Sequence, residues 1–274
     1  KLLLKLTSPS NNMICFAAFT PHSPLLIDSI GKENIKQLSK TREAMKKLSD
    51  DLKASHPDII LVVSSHSSMH KNAFTLNLHD QYVVEFHEFG DLSTSMEFGP
   101  DLELISAIQS EARKQSIPFV LESHASLDYG CGVPLFLLSD EIKPRLVPVS
   151  YSGTDRKQHV AFGRLLNDVM QQSHKRIAVL ASGDLSHSLS SDAPMGFREE
   201  GKEFDDMIVR AIEHKSISKL LSFDEERLEK ASECALRPML ILFGIIDQLK
   251  VRAENLSYEA PFGVGYLVAQ FHIL

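Results

Sequence analysis

The chain has 274 residues, 43% of them hydrophobic, and a formal charge of -7 at pH 7. That hydrophobic fraction is ample for a folded core, whereas an acidic balance without a basic stripe argues against nucleic-acid binding. Apolar runs are broken by charge or glycine well before the roughly 18 residues that a membrane span needs. We therefore expect a small-molecule or protein partner, with no nucleic acid and no membrane.

Predicted elements in the first half of the chain alternate between strands and helices. Strands are predicted at 14–19 and 58–64, and amphipathic helices at 32–55 and 100–114. The run Ile59-Ile60-Leu61-Val62-Val63 has the continuous apolar character of a strand buried on both faces, which is typical of parallel α/β sheets. Residues 73–86 alternate loosely around His79 and Asp80, and this pattern predicts a hairpin-like pair of strands.

The second half repeats this rhythm. Strands are predicted at 145–149, 176–181, 252–258 and 264–271, and helices at 157–172 and between 197 and 249. The segment Leu221-Ser222-Phe223-Asp224 interrupts the last helical region, and Asp224 is a candidate N-cap ahead of two glutamates. The alternation predicts an α/β protein with a central, mostly buried mixed sheet flanked by helices.

A single domain is the simplest organisation, because no Gly/Ser linker, low-complexity stretch or internal repeat marks a boundary. We expect this domain to span residues 13–274. The opening residues read as an extension, so residues 1–12 are assigned outside the domain and folding is expected to begin near Met13.

The cysteines point to a reducing compartment. The chain has three, Cys15, Cys131 and Cys234, and no two of them have C-x-x-C spacing. This spacing argues against a structural zinc site and against a disulfide framework. A cytoplasmic location is therefore the expectation.

Four separate segments carry side chains that bind metals or transfer protons, and three of them follow predicted strands. They are Pro21-His22-Ser23-Pro24, Ser64-Ser65-His66, Ser182-Gly183-Asp184-Leu185-Ser186-His187 and Glu233-Cys234-Ala235-Leu236-Arg237-Pro238. In α/β sheets, function concentrates in loops at the carboxyl ends of strands. Two histidines and a carboxylate leave positions open on Fe(II) for O2 and substrate, so we predict that His22, His66 and Glu233 form a facial triad.

The third ligand has a competing candidate in the adjacent Cys234. A carboxylate at the start of an apolar helix is costly if it points inward unpaired, and metal coordination would offset that cost. Glu233 could instead be a helix-start residue favoured by the macrodipole. A thiolate also binds iron or zinc, and a His2Cys set would shift the preference toward zinc. Neighbours on a helix diverge by about 100°, so only one of the two should face the metal, and we choose Glu233.

The remaining candidates surround the predicted metal. His187 is predicted as the catalytic acid/base, because an imidazole with an ordinary pKa near 6.5 takes and returns a proton at neutral pH. Asp184 could orient His187, could orient a ligand histidine by a hydrogen bond, or could simply form the turn. His124 and Tyr129 are candidates for lining the substrate pocket, although the Asp-x-Gly around Tyr129 also makes turns.

Other common active-site motifs do not occur. The chain has no G-x-x-x-x-G-K-[ST] phosphate loop, no G-x-G-x-x-G after a strand and no G-x-S-x-G elbow. Phosphate-loop, dinucleotide-binding and serine-hydrolase functions are therefore not expected.

The order of these motifs resembles that of the class III extradiol ring-cleavage dioxygenases, of the protocatechuate 4,5-dioxygenase catalytic subunit type. The resemblance extends from Met13 to Phe271 through P-H-S-P, S-S-H, Asp-Tyr-Gly-x-x-x-Pro, Asp-Leu-Ser-His, the Glu/Arg-Pro helix and Ala-Pro-Phe-Gly-Val-Gly-Tyr. It implies the α/β fold of the extradiol dioxygenase catalytic chain and Fe(II) bound by His22, His66 and Glu233, with His187 as acid/base. The implied reaction opens a catechol- or aminophenol-like ring with O2.

Two departures from that family's pattern keep alternatives open. Tyr129 stands where the family often has a histidine, and Cys234 matches a cysteine of the related Memo-like proteins. The resemblance therefore also allows a Memo-like metal- or peptide-binding protein with little catalysis, or a zinc hydrolase on the same scaffold. By the same resemblance, the chain is expected to form a homo-oligomer or to pair with a small second subunit.

Overall fold

An eight-stranded mixed sheet runs through the centre of the computed structural model, which describes residues 13–274. Its strands, in chain order, are β1 (Ile14–Thr20), β2 (Ile59–Ser64), β3 (Phe74–Asn77), β6 (Phe119–Glu122), β7 (Arg145–Ser150), β8 (Ile177–Ser182), β9 (Val251–Glu259) and β10 (Tyr266–Ile273). Across the sheet they lie in the order β6-β3-β7-β2-β8-β1-β10-β9. Two further strands, β4 (Tyr82–Phe86) and β5 (Asp91–Phe98), form a separate pair. The expected extension, residues 1–12, lies outside the described residues.

The centre of the sheet is parallel, and β8 pairs with β1 on one side and with β2 on the other. Every residue of β2 is buried, because alternate side chains enter different hydrophobic clusters on the two faces. Leu61 and Val63 belong to one cluster, whereas Ile60 and Val62 belong to the other. The continuous apolar run seen in the sequence is thus a central strand covered on both sides, as predicted.

Nine α-helices in residues 13–274 accompany the sheet. They are α1 (Asp28–Gly31), α2 (Ser39–Ala54), α3 (Leu102–Lys114), α4 (Tyr129–Ser139), α5 (Arg156–Gln171), α6 (Glu199–Glu213), α7 (Ile217–Ser222), α8 (Glu225–Ala231) and α9 (Leu236–Ile246). Helices α3, α5, α6 and α9 contribute to one hydrophobic cluster, and α2 and α4 to the other. The expected single α/β domain with a mixed sheet between helices is therefore confirmed. None of these helices is both long and apolar enough to cross a bilayer.

The predicted hairpin at 73–86 is wrong. Strand β3 joins the main sheet between β6 and β7, whereas β4 pairs antiparallel with β5. The turn that reverses the chain contains Gly90, whose φ of 84° is in the left-handed region that glycine adopts at little cost. The actual hairpin therefore forms one strand later than the alternation around His79 and Asp80 indicated.

Helix α4 was not predicted, and its composition explains why. Gly130, Gly132 and Pro134 all lower its intrinsic helix propensity. Tertiary burial compensates, since most of the helix is buried, and Asp128 caps it by accepting a hydrogen bond from the Cys131 N–H. The predicted cap at Asp224 is present in the same form at the start of α8.

Helix α9 lies very close to α5, and two glycines make this approach possible. A Cβ atom added at Gly163 would lie 2.2 Å from the Ile241 carbonyl oxygen, and one at Gly244 would lie 2.3 Å from that of Val160. The two backbones are therefore in direct contact. This contact holds α9, which follows the Glu233–Cys234 segment, against α5.

A buried carboxylate, Asp205 of α6, ties together the elements next to the Ser182–His187 loop. Its oxygens accept hydrogen bonds from the Ser186 N–H at 2.9 Å and from the Tyr258 hydroxyl at 2.7 Å. A Cβ at Gly265 would lie 2.1 Å from Asp205 Oδ2, so β10 begins directly against it. Burial raises the pKa of Asp205 to about 7 despite these two donors.

Asp205 should make stability depend on pH. Its folded-state pKa is raised, so between about pH 4 and 7 the unfolded chain binds fewer protons and the free energy of unfolding falls as pH rises. In urea unfolding, the free energy of unfolding should be higher at pH 4.5 than at pH 7.5, and Asp205→Asn should reduce this difference by about 1–3 kcal/mol. Glu213→Gln, at an exposed carboxylate at the end of the same helix, should leave the pH dependence unchanged. An unaltered pH dependence in Asp205→Asn would contradict the assignment.

Candidate metal centre

Three possible metal ligands meet at the carboxyl edge of the central strands. His22 follows β1, His66 follows β2, and Cys234 precedes α9. The two Nε2 atoms of the histidines are 3.0 Å apart, and Cys234 Sγ is 3.5 Å from His22 Nε2. All three donor atoms lie within 4.8 Å of one another. The structure thus brings together both predicted histidines and the cysteine.

These separations fit a single bound ion. Metal–nitrogen bonds of about 2.05 Å and a metal–sulfur bond of about 2.3 Å put donors about 2.9–3.3 Å apart for two nitrogens and about 3.1–3.6 Å apart for nitrogen and sulfur, across bond angles from 90° to tetrahedral. The observed distances of 3.0 and 3.5 Å lie within both ranges. The donor set fits a mononuclear metal with further positions open.

His22 is held rigidly and is buried. Its backbone N–H donates to Asp184 Oδ1 at 3.0 Å, and its Nδ1 lies 2.9 Å from Ser182 Oγ. A ligand role for Nε2 requires the proton on Nδ1, which then donates to the Ser182 hydroxyl. Burial, together with the nearby His187, lowers the pKa of His22 to about 3. The imidazole is therefore neutral at physiological pH, as a ligand must be.

His66 borders open space on one side and packs against aromatic rings on the other. It stacks on Tyr129 with ring centroids 4.3 Å apart, and its Nδ1 is 3.1 Å from the Tyr129 hydroxyl. Partial burial and the adjacent His22 lower the pKa of His66 to about 4. Burial also raises the pKa of Tyr129 to about 12, so the phenol stays neutral. Tyr129 therefore orients His66.

Cys234 is bound to the end of β8 through Asp184. The Asp184 N–H donates to Cys234 Sγ at 3.2 Å, and the Cys234 N–H donates to the Asp184 carbonyl at 3.2 Å. Burial, followed by the nearby carboxylates Asp184 and Glu233, raises the pKa of the thiol well above its usual value. A metal cation would reverse this balance, because a coordinating thiol is deprotonated.

Glu233, the predicted carboxylate ligand, lies outside the group of three donors. Its Oε2 accepts hydrogen bonds from the backbone N–H groups of Ala235 and Leu236, both at 2.6 Å. These donors are free because α9 begins at Leu236 and the first N–H groups of a helix have no intrahelical partner. The carboxylate thus caps α9, and the thiol beside it faces the histidines.

His187 and Asp184 lie beside the three donors. Both the N–H and the Nδ1 of His187 bond to the Ser232 carbonyl, so Nδ1 carries the proton and Nε2 has a free lone pair. Ser232 itself has the left-handed backbone of a helix C-cap, with φ 52°. Asp184 is buried, and burial raises its pKa to about 6. It contacts two of the three donor residues through its hydrogen bonds.

A cavity of about 540 Å³ opens next to this centre. His66, Tyr129 and His124 all line it, so both predicted pocket residues border the space beside a candidate ligand. Sequence reasoning missed Asp128, which lines the cavity and accepts hydrogen bonds from the Ser64 and Ser67 hydroxyls. An aspartate directly before a largely apolar run was the helix-start signal that could have found it.

This chain is similar to a curated protein and to a solved structure. Protein CA_C1420 of Clostridium acetobutylicum is 28% identical over 256 residues, which cover 90% of this chain and 55% of that protein. The chain therefore spans about half the length of this curated relative. The crystal structure of an uncharacterized protein, JW3007 from Escherichia coli K12, has a TM-score of 0.64 at 17% identity, covering 93% of this chain and 99% of that one. This second likeness shows that the fold is shared.

The family model for the catalytic LigB subunit of aromatic ring-opening dioxygenase matches residues 16–269. The matched stretch contains all three donor residues as well as Asp184 and His187. It also contains β2, β8 and most of β1, the strands that precede these residues. The chain belongs to the family of LigB catalytic subunits of aromatic ring-opening dioxygenases, as its motif order indicated.

Proposed function

We propose that this protein is a non-haem Fe(II) extradiol dioxygenase that opens a catechol- or aminophenol-like ring with O2. The observation that carries the proposal is the convergence of His22, His66 and Cys234 beside a cavity of about 540 Å³. Membership in a family of ring-opening dioxygenases supports the reaction class. The ligand set, the metal and the aromatic substrate are parts of the proposal.

In this proposal Cys234 replaces Glu233 as the third ligand. The distances support the thiol, and the two hydrogen bonds at Glu233 Oε2 assign the carboxylate to the start of α9. A neutral imidazole pair with one thiolate leaves one net positive charge on a divalent ion. That charge suits a centre that must also bind an ionised substrate oxygen.

The residues around the centre would transfer the substrate proton and orient the metal ligands. When bound, Fe(II) would supply adjacent open positions at which O2 and the two oxygens of the aromatic can meet. His187 Nε2, free because Nδ1 donates to the Ser232 carbonyl, would take the proton of a phenolic hydroxyl. Asp184 and Ser182 would keep His22 in one orientation and one tautomer.

The thiol favours a second candidate, a Memo-like zinc-binding protein with little turnover. Histidine nitrogen and cysteine sulfur are both zinc ligands, and zinc has no redox chemistry. A zinc hydrolase would use the same three residues with a water in the fourth position. Oligomer formation, a small second subunit and a cytoplasmic location stay predictions.

The first experiment measures bound metal and O2 uptake on protein purified without oxygen and reconstituted with Fe(II). We expect one iron per chain and O2 consumption that depends on a catechol or aminophenol, with a yellow ring-opened product. Zinc-reconstituted protein is the matched control and should consume no O2. Bound metal without uptake across the aromatic panel would refute the dioxygenase and favour the zinc-binding candidate.

Adjacent substitutions should separate the two candidate ligands. Cys234→Ala should weaken metal binding by about 100-fold or more, because it removes a direct donor. Glu233→Gln should keep metal affinity within about threefold and lower stability by about 1 kcal/mol, because a capping oxygen loses its charge. Competition with a chelator and urea unfolding provide the two readouts. The opposite order of metal affinities would restore Glu233 as the ligand.

His187→Gln should retain stoichiometric iron and lower the rate of ring cleavage by about 10²–10⁴-fold, as expected for loss of a general base. His214→Gln, at an exposed histidine at the end of α6, is the control and should change neither iron nor rate. Loss of iron in His187→Gln would show instead that His187 holds the metal.

A further inference from the structure

We propose that the cavity beside the metal centre selects aromatic substrates that carry a protonated amine and discriminates against aromatic carboxylates. This inference rests on the proposed function, which places the ring of the substrate in that cavity. It adds the charge of the substituent on the substrate ring and the residues that would bind that substituent.

The cavity wall carries charge of one sign. Its lining residues include four carboxylates and no lysine or arginine; the carboxylates are Glu85, Glu88, Glu122 and Asp128. The formal charges of these four carboxylates sum to -4. A concave surface with one sign of charge raises the local concentration of ligands of the opposite sign. The wall therefore favours a cation over an anion.

Glu122 carries its charge securely although its side chain is mostly buried. Burial alone disfavours its ionised form, yet hydrogen bonds from His70 and Ser68 hold its pKa below the usual value. The His70 contact is 2.7 Å, and His124 Nε2 lies 3.3 Å from the other carboxylate oxygen. Glu122 is thus ionised at neutral pH and faces the cavity from the edge strand β6.

The other carboxylates differ in how much bonding capacity remains for a ligand. Asp128 is committed to the Ser64 and Ser67 hydroxyls and to the cap of α4, so it contributes charge alone. Glu85 accepts from the Ser126 hydroxyl at 3.0 Å. Each carboxylate offers about four acceptor directions. Glu85, whose other oxygen lies 3.5 Å from His87 Nδ1, keeps capacity for the N–H donors of an ammonium group, whereas Glu122 keeps about one acceptor direction.

An independent feature of the wall also indicates a polar ligand. Ser150, the last residue of β7, lines the cavity and is 1% exposed. Its hydroxyl oxygen has no hydrogen-bond partner within residues 13–274. A buried hydroxyl without a partner is unfavourable and uncommon in folded proteins. A polar group of a bound molecule would satisfy it.

The rest of the wall suits an aromatic ring. Leu127, Pro148 and Val149 supply apolar surface, and Tyr129 adds an aromatic side chain next to His66. A ligand with a ring near His66 and an ammonium group toward the carboxylates matches both parts of the cavity. A carboxylate in the same position would meet like charges at short range, which lowers affinity.

The test uses three compounds with the same ring and different tails. They are 4-(2-aminoethyl)catechol, neutral 4-ethylcatechol and 3,4-dihydroxyphenylacetate, and their affinities are measured by calorimetry without oxygen, on metal-loaded and on metal-free protein. The amine should bind at least tenfold more tightly than the acid, with the neutral compound between them. The preference should shrink as salt is added, because screening weakens charge attraction.

Variants identify the residues responsible. Glu122→Gln and Glu85→Gln should each reduce the ratio of amine to acid affinity at least threefold and leave 4-ethylcatechol unchanged. Glu141→Gln is the control with the same change in net charge, at an exposed carboxylate that pairs with Lys53, and should not alter the ratio. Unchanged ratios in both cavity variants would overturn the assignment.

The two proposals fail in different ways. O2 uptake with all three compounds at equal affinity, or with the acid preferred, would overturn the inference and leave the dioxygenase standing. Absence of uptake together with a tenfold preference for the amine would refute the dioxygenase and leave the selectivity of the cavity standing. Failure of all three compounds to bind would overturn the inference directly.

Discussion

The parallel pairing of β8 with β1 and β2 fixes the positions on which the whole site depends. Thr20 is in register with Ser182, so two residues further on His22 and Asp184 remain level and their hydrogen bond follows. On the other side, Val63 is in register with Ala181, and β2 delivers His66 to the same edge. Two core clusters, one on each face, hold these strands in place. The rigidity of the centre therefore comes from the sheet rather than from the loops.

Glu233 and Cys234 are adjacent at the start of α9, yet the first caps the helix and the second faces the candidate metal ligands. The carboxylate meets the free N–H groups of α9, and the thiol turns to the histidines. The close packing at Gly163 and Gly244 holds α9 against α5. Burial of both groups is tolerated because one is hydrogen-bonded and the other faces donors suited to a metal.

The local sequence pattern predicts some elements of this structure but not those that depend on long-range contacts. The apolar run of β2 and the strand-end positions of His22 and His66 follow from the sequence, because burial on both faces leaves a continuous signal. The pairing of β3, the hairpin of β4 and the helix α4 depend on long-range contacts, and α4 overrides poor propensity by burial. The choice between Glu233 and Cys234 depended on the last half-turn before α9, where boundaries are least predictable.

Ser232 links two functions through one backbone conformation. Its left-handed geometry ends α8 and redirects the chain into Cys234, while its carbonyl holds the imidazole of His187. The short segment that carries the candidate ligand therefore also positions the candidate base. Lengthening or shortening α8 would displace the thiol and the Ser232 carbonyl together, so the geometry between the candidate ligand and the candidate base depends on where this one helix ends.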